Sequence, residues 1–335
     1  MKQLIAIVLL TASCAFARAP LDTTNAITRI AFGSCNRHTG DQSYWAQIAA
    51  QSPDLWIWLG DSVYNDTEDM QVMQNKYNTM RAQPGYAAFR AVTDIVGTWD
   101  DHDYGINNGG KSYPQKVTSQ QHFLDFLDEP TNSLRRAHAG IYGLQDFGPL
   151  GQRVRVIFID DRYFSDAPGP QSDLLGSNQW AFLESALTAD AADVFVIASG
   201  IQVLPQDHPN ERWSKFPRSQ KRLFDMIRAA KTPGVLFISG DRHMHEINMR
   251  NDEQTPYPLY ELTSSGLTHA YHSLKQEKNR YRVGPKLAKR GFGMIEINWD
   301  AAPRSVELRI HRISGERFHQ IDIPLHILAP HKDLD

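Results

Sequence analysis

Six short apolar runs constrain this chain more than any other feature. They are "ITRIAFG" (27–33), "DLWIWLG" (54–60), "AVTDIVGTW" (91–99), "RVRVIFID" (153–160), "DVFVIAS" (193–199) and "GVLFISG" (234–240). Each is rich in β-branched and aromatic residues and reads as a buried strand. Between them lie segments with helical spacing, at 41–51, 68–81, 119–127, 178–187 and 214–230. Such alternation calls for an α/β fold with buried sheets. The last part changes character: "YPLYELTSSG", "FGMIEINWD", "SVELRIHRI" and "FHQIDIPLHI" read as successive antiparallel strands joined by turns. No linker or repeat separates the two parts, so residues 20–335 are expected to form a single domain. Trp45, Trp56, Trp58, Trp99 and Trp180 fall at regular strand and helix positions and are expected in the core.

The residues that follow these strands carry the chemistry. "AFG" is followed by "SCN", "IWLG" by "DSVY", "VGTW" by "DDHD", "RVIFI" by "DDRY", "FVIASG" by "IQ" and "VLFISG" by "DRHMHE". In open α/β sheets, ligands bind at the carboxyl ends of the strands. One edge of the molecule is therefore expected to collect Cys35, Asp61, Tyr64, Asp100, Asp101, His102, Asp103, Asp160, Asp161, Arg162, Asp241, His243 and His245. Taken singly, each has an ordinary reading: an Asp after "LG" caps a turn, and a lone Cys is a small buried hydrophobe. Together they form a crowd of carboxylates whose repulsion and desolvation would cost several kcal/mol without cations. A pair of metal ions is the natural neutraliser. Carboxylate, thiolate, phenolate and imidazole suit ferric iron, with a second, divalent ion held by oxygens.

The ordered motifs "FGSCN", "LGDSVY", "WDDHDYGINN", "IDDRYFSD", "LGSNQWAFLESAL", "ASGIQVLP" and "SGDRHMHE" resemble those of the alkaline phosphatase D (PhoD-like) family of calcineurin-like metallophosphoesterases. The resemblance runs from about residue 30 to 270. It implies a β-sandwich flanked by helices, in α/β/β/α layers, and a phosphatase or phosphodiesterase that uses a metal-bridging hydroxide. It also implies roles. Cys35 and Tyr64 would bind iron, Asp61 would bridge the two metals, and Asp101 would bind the second metal. His102 would stay off the metals and face the leaving group. Asp241 and His243 would complete the ligand set, with His243 and His245 as the alternative register. The implied centre is Fe(3+) plus a divalent ion, Ca2+ foremost, with Zn2+ or Mn2+ as alternatives. Asp101 stands where relatives carry Asn, which adds negative charge at the second metal.

Arg162 is the candidate cation for phosphate, since a guanidinium grips it with two bonds; its alternative is an ion pair with Asp160 or Asp161. Asp100, His245, Gln202 and His269 are expected beside the ligands or the substrate. His269 and His272 lie in the irregular stretch 264–292, whose basic run "LKQEKNRYRVGPKLAKR" reads as a solvated face or as an attractor of anions. The substrate is then a small-molecule or lipid phosphate ester. A phospholipase-like diesterase and a hydrolase of non-phosphate esters on the same scaffold are the alternatives.

The first residues, "MKQLIAIVLLTASCAFARA", have the basic start, short apolar stretch and small-residue end of a secretory signal (1–19), with cleavage after Ala17 or Ala19. That apolar stretch is too short to span a membrane. Cys14 offers a lipoprotein alternative, against which Thr11 stands where such signals carry Leu. The mature protein is expected to be periplasmic or secreted. Cleavage leaves Cys35 as the only one of the chain's 2 cysteines, which excludes an internal disulfide. The formal charge of −3 becomes −5 once Lys2 and Arg18 are removed, which argues against nucleic-acid binding by bulk charge.

Overall fold

A computed structural model describes residues 21–271 and 277–330; the signal segment, Cys14 and His272 lie outside the described residues. The six apolar runs form strands: β1 (Arg29–Gly33), β2 (Leu55–Leu59), β3 (Asp94–Thr98), β5 (Val154–Phe158), β6 (Val194–Ser199) and β7 (Val235–Ser239). A further strand, β4 (Gly143–Phe147), precedes β5, while β8 (His245–Arg250), β9 (Leu259–Ser264), β10 (Arg282–Leu287), β11 (Gly291–Asn298), β12 (Ser305–Arg312) and β13 (Arg317–Pro324) follow β7. They build two mixed sheets, ordered β13-β12-β11-β1-β2-β3 and β10-β8-β9-β7-β6-β5-β4. β1, β2 and β3 run parallel in the first sheet, and β5, β6, β7 and β9 run parallel in the second.

The C-terminal strands depart from a simple antiparallel series. β9 joins the second sheet parallel to β7, whereas β11, β12 and β13 cross to the first sheet and extend it antiparallel from β1. The inner faces of the sheets share one apolar core, with Ile30, Phe32 and Ile57 from the first and Val156, Ile197 and Phe237 from the second. Helices α7 (Gly176–Ala186) and α8 (Pro217–Ala229) add Trp180, Leu183, Leu223 and Ile227 to it. A second cluster covers the other face of the first sheet. There α1 (Trp45–Ala49), α2 (Met70–Arg81), α3 (Pro84–Arg90) and α5 (Lys116–Phe126) pack on Ala31, Trp56 and Trp58. The result is the α/β/β/α layering of a metallophosphoesterase-type sandwich. The five tryptophans named above are all buried, and Trp45 meets both Trp56 and Trp58 edge to face.

The two parallel sets end at the same edge, and glycine lets them meet there. A Cβ on Gly240, just after β7, would fall 2.3 Å from the Leu59 carbonyl oxygen at the end of β2. One on Gly60 would fall 2.2 Å from the Asp100 Cβ, and Gly60 has φ +85°. Only a residue without a side chain fits either place.

Candidate metal centre

The loops after β1, β2, β3 and β7 bring the acidic, sulfur and imidazole groups together. Cys35, Asp61 and His243 offer ligand atoms that all lie within 4.8 Å of one another, and so do Asp61, Asp101 and His102. Asp61 belongs to both groups, the position a carboxylate shared by two cations must occupy. The Cys35 thiol donates to Asp61 Oδ2 at 3.4 Å and lies 3.0 Å from Ser265 Oγ. Ser265 Oγ also accepts the His243 amide at 2.7 Å, which ties the β7 and β9 loops to the cysteine. The Tyr64 hydroxyl lies 3.3 Å from His243 Nε2 and 3.1 Å from His269 Nε2.

The backbone is strained where the ligands sit. Cys35 (φ 57°), Asp61 (φ 48°), Asp241 (φ 65°) and His243 (φ 49°) all adopt the left-handed region. Each such non-glycine residue costs on the order of 1–3 kcal/mol and persists only where its surroundings over-determine it. Asp103 supplies part of that constraint. It accepts the Ser62 and Val63 amides at 3.1 Å and the Ser62 hydroxyl at 2.6 Å, so it holds the "GDSVY" turn in shape.

The electrostatics call for cations. Burial, then the charge of Asp101, pushes the Asp61 carboxyl well up. Burial and the Asp61 charge push the Cys35 thiol up. Burial, opposed by Arg242, pushes Asp241 up to about 7. Burial also lowers His243 to about 3, with help from the charges of His269 and His102, so its ring is neutral and free to bind a metal. Asp101 is the exception. Burial works against its charge, but Arg162, His102 and the Asn108 and His102 amides outweigh burial and hold it below the usual range. A buried site with this much suppressed negative charge fits divalent or trivalent cations, because they convert the repulsion into ligation.

His102 occupies a different position. Its Nδ1 lies 2.6 Å from Asp66 Oδ1, and its ring packs 4.1 Å, centroid to centroid, from that of Tyr64. Burial disfavours its charged form, but the hydrogen bond to Asp66 and the charges of Asp61 and Asp101 push its pKa up to about 9. These partners favour its protonated form.

Two sequence-based expectations need correction. Arg162 is 2% exposed and its guanidinium is already taken: Nε donates to Asp100 Oδ1 at 2.6 Å, and Nη1 and Nη2 meet both Glu211 oxygens. Its partners are neither Asp160 nor Asp161, and no face is left for phosphate. Asp160 instead accepts the Trp99 indole and the Ile141 amide, and Asp161 the Ser199 hydroxyl and the Ile201 amide. Gln202 donates to Glu246 and Thr263 within the second sheet rather than facing the site. His245 starts β8, opposite Ser264; like Asp241 it belongs to neither ligand group, and Asp241 and His243 precede it in the turn. Asp100 lies beneath the ligands as the partner of Arg162, and His269 stands against Tyr64.

A cation that sequence reasoning missed stands at the mouth of the site. Arg37 is exposed, its Cζ lies 5.6 Å from the Tyr64 ring centroid, and its charge helps to lower His243 and His269. Its guanidinium makes no ion pair among the described residues. The signal was its place two residues after the cysteine, in "SCNRH".

Fold and site together define a sandwich hydrolase with a candidate metal centre at the sheet edge. The chain belongs to the PhoD-like phosphatase family, whose profile matches residues 30–294, and it is a hydrolase acting on phosphoric ester bonds. Its fold is similar to that of a solved PhoD structure, at TM-score 0.72 and 17% identity over 91% of this chain and 70% of that one. It also resembles the purple acid phosphatase PPD1 from yellow lupin (Lupinus luteus) seeds, at TM-score 0.65 and 11% identity over 94% of this chain and 58% of that one. A dimetal phosphatase from Danio rerio matches at TM-score 0.55 and 11% identity over 90% and 100% of the two chains. At these identities the likeness is one of fold. No curated protein matches the chain significantly.

Proposed function

We propose that this chain is an exported phosphatase or phosphodiesterase with a dinuclear centre of Fe(3+) and a divalent ion, Ca2+ foremost, that hydrolyses small-molecule or lipid phosphate esters. The observation that carries the reading is the place of Asp61, within ligand reach of Cys35 and His243 and also of Asp101, on a PhoD-like scaffold. Cys35, Tyr64 and His243 would hold the iron, with Asp61 shared. Asp101 and Asp241 would supply oxygen to the divalent ion. The soft thiolate and the phenolate favour ferric iron, whereas an all-oxygen set favours a hard cation.

Such cations supply Lewis acidity, acidifying water near neutral pH and offsetting charge on the phosphoryl oxygens. The chain's own residues do the rest. Arg37 grips the phosphoryl group from the open side and stabilises the charge that gathers on it. His102 keeps Nδ1 on Asp66, so Nε2 is the nitrogen left to give its proton to the departing alkoxide. His269, with Nδ1 3.0 Å from Thr268 Oγ1 and Nε2 on Tyr64, orients the phenol.

The test pairs metal analysis with turnover of 4-nitrophenyl phosphate and bis(4-nitrophenyl) phosphate. Purified protein should contain iron, show a thiolate or phenolate charge-transfer band, and lose activity on chelation. Cys35→Ala should lose iron, band and turnover together; full iron with full turnover in that variant overturns the assignment. Export is tested by sequencing the N-terminus of protein recovered outside the cytoplasm, with a start at residue 18 or 20 expected.

A further inference from the structure

A cavity of about 550 Å³ opens beside the ligand cluster, walled by His269, Ala270 and Ile313 and by Lys289, Arg290 and Arg312. His269 is common to both places: its Nε2 contacts the Tyr64 hydroxyl, and its ring centroid lies 4.5 Å from that of His243. The groove therefore adjoins the centre at His269, whose neighbour Tyr64 also packs against His102, the residue assigned to the departing alcohol. It is larger than a small alcohol needs. Its walls are carbon for the most part, since the stems of Lys289, Arg290 and Arg312 lie along it beside Ala270 and Ile313.

Among the described residues no carboxylate lines the groove, and two of the three cations that do are already committed. Arg290 donates to the Leu267 carbonyl and to Asp41, and Arg312 pairs with Glu316 at 3.2 Å. Lys289 is exposed and makes no ion pair among the described residues. Among the described residues the groove thus has an apolar body and one positive charge, that of Lys289, without an ion-pair partner.

We propose that this groove binds the alcohol half of the substrate, and that its preferred alcohols carry an apolar body ending in one negative charge, which Lys289 recognises. The proposal rests on the phosphoesterase reading, which supplies the reacting phosphorus next to His269. The leaving alcohols themselves serve as probes, so the first test needs no turnover. Titration calorimetry on the metal-loaded protein compares 3-(4-hydroxyphenyl)propanoate with 3-(4-hydroxyphenyl)propan-1-ol, which differ at the chain end. The carboxylate should bind about fivefold more tightly, the effect of one partly exposed charge pair, and the difference should shrink in about 0.5 M salt. Lys289→Gln should bring the ratio to about one, and Lys289→Arg should keep it. Equal binding of both probes, or an unchanged preference in Lys289→Gln, overturns the proposal. The phosphate monoesters of the two phenols, whose acidities match because the methylene chain insulates the charge, should show the same preference in kcat/KM. Preferential binding without hydrolysis of any phosphate ester would refute the phosphoesterase reading and leave the groove standing. Equal binding with both esters hydrolysed would do the reverse.

Discussion

Replacing Asp241 by Asn should strengthen the metal-free protein and weaken its hold on metal. Asp241 is held at about 7 against an ordinary 3.8 by burial, so its charged form is disfavoured in the folded state. A raised carboxyl pKa gives stability that is fully present below the unfolded value and is lost as pH rises through the folded one. Integrating that linkage between about 3.8 and about 7 gives a loss of about 2 kcal/mol by pH 5 and about 4 kcal/mol by pH 8. Asn removes the titration and tolerates the φ of 65° better than most residues, so the backbone need not move. The chelated variant should therefore exceed the chelated wild type by roughly 4 kcal/mol at pH 8 and by about half that at pH 5. With metals supplied the order should invert, because the wild-type carboxylate is then a ligand. Urea denaturation at the two pH values, with and without chelator, measures all four differences. A variant less stable than wild type when both are chelated at pH 8, or one that binds metal as tightly as wild type, would refute the reasoning.

Asp66→Asn keeps an acceptor for His102 but removes the carboxylate charge that helps keep it protonated, so the alkaline limb of the rate–pH profile should move to lower pH; an unmoved limb separates His102 from proton donation. Arg37→Ala should lower kcat/KM by about 10- to 100-fold with iron content unchanged, as expected for one exposed charge-assisted contact to phosphate, and Arg37→Lys should recover only part of it. Arg162→Met leaves Asp100 and part-buried Glu211 unpaired, so a loss of about 3–5 kcal/mol is expected in thermal or chemical denaturation at neutral pH. An Arg162→Met protein that is fully stable yet inactive would restore Arg162 to the phosphate.

Much of the frame was legible because local signals agreed with the fold. The six apolar runs became six strands within a few residues of their expected limits, and the helical stretches at 68–81 and 214–230 became α2 and α8. The collection of Cys35, Asp61, Asp101 and His243 at one edge followed from parallel strands ending together. β8 was not legible. "HEINMR" looks like a polar loop, yet Glu246, Asn248 and Arg250 are buried in it. Their partners come from elsewhere in the chain: Gln202 and Arg282 on Glu246, Asn279 on Asn248, and Gln220 on Arg250. Polar residues can line a central strand only when distant groups satisfy them, and a hydropathy pattern carries no information about that.

The two arginines show where the division lies. The order of motifs, the donor types and the edge at which they gather were set by the sequence alone, because strand periodicity and strand direction place side chains without knowledge of their neighbours. Which guanidinium faces the open site was decided by tertiary structure. Arg162, beside two acidic residues in the chain, is locked beneath the ligands by Asp100 and Glu211, whereas Arg37 lies over Tyr64 with no ion pair among the described residues. An ion pair forms between whatever charges the packed sheets bring within reach, and that distance exists only after the chain has folded.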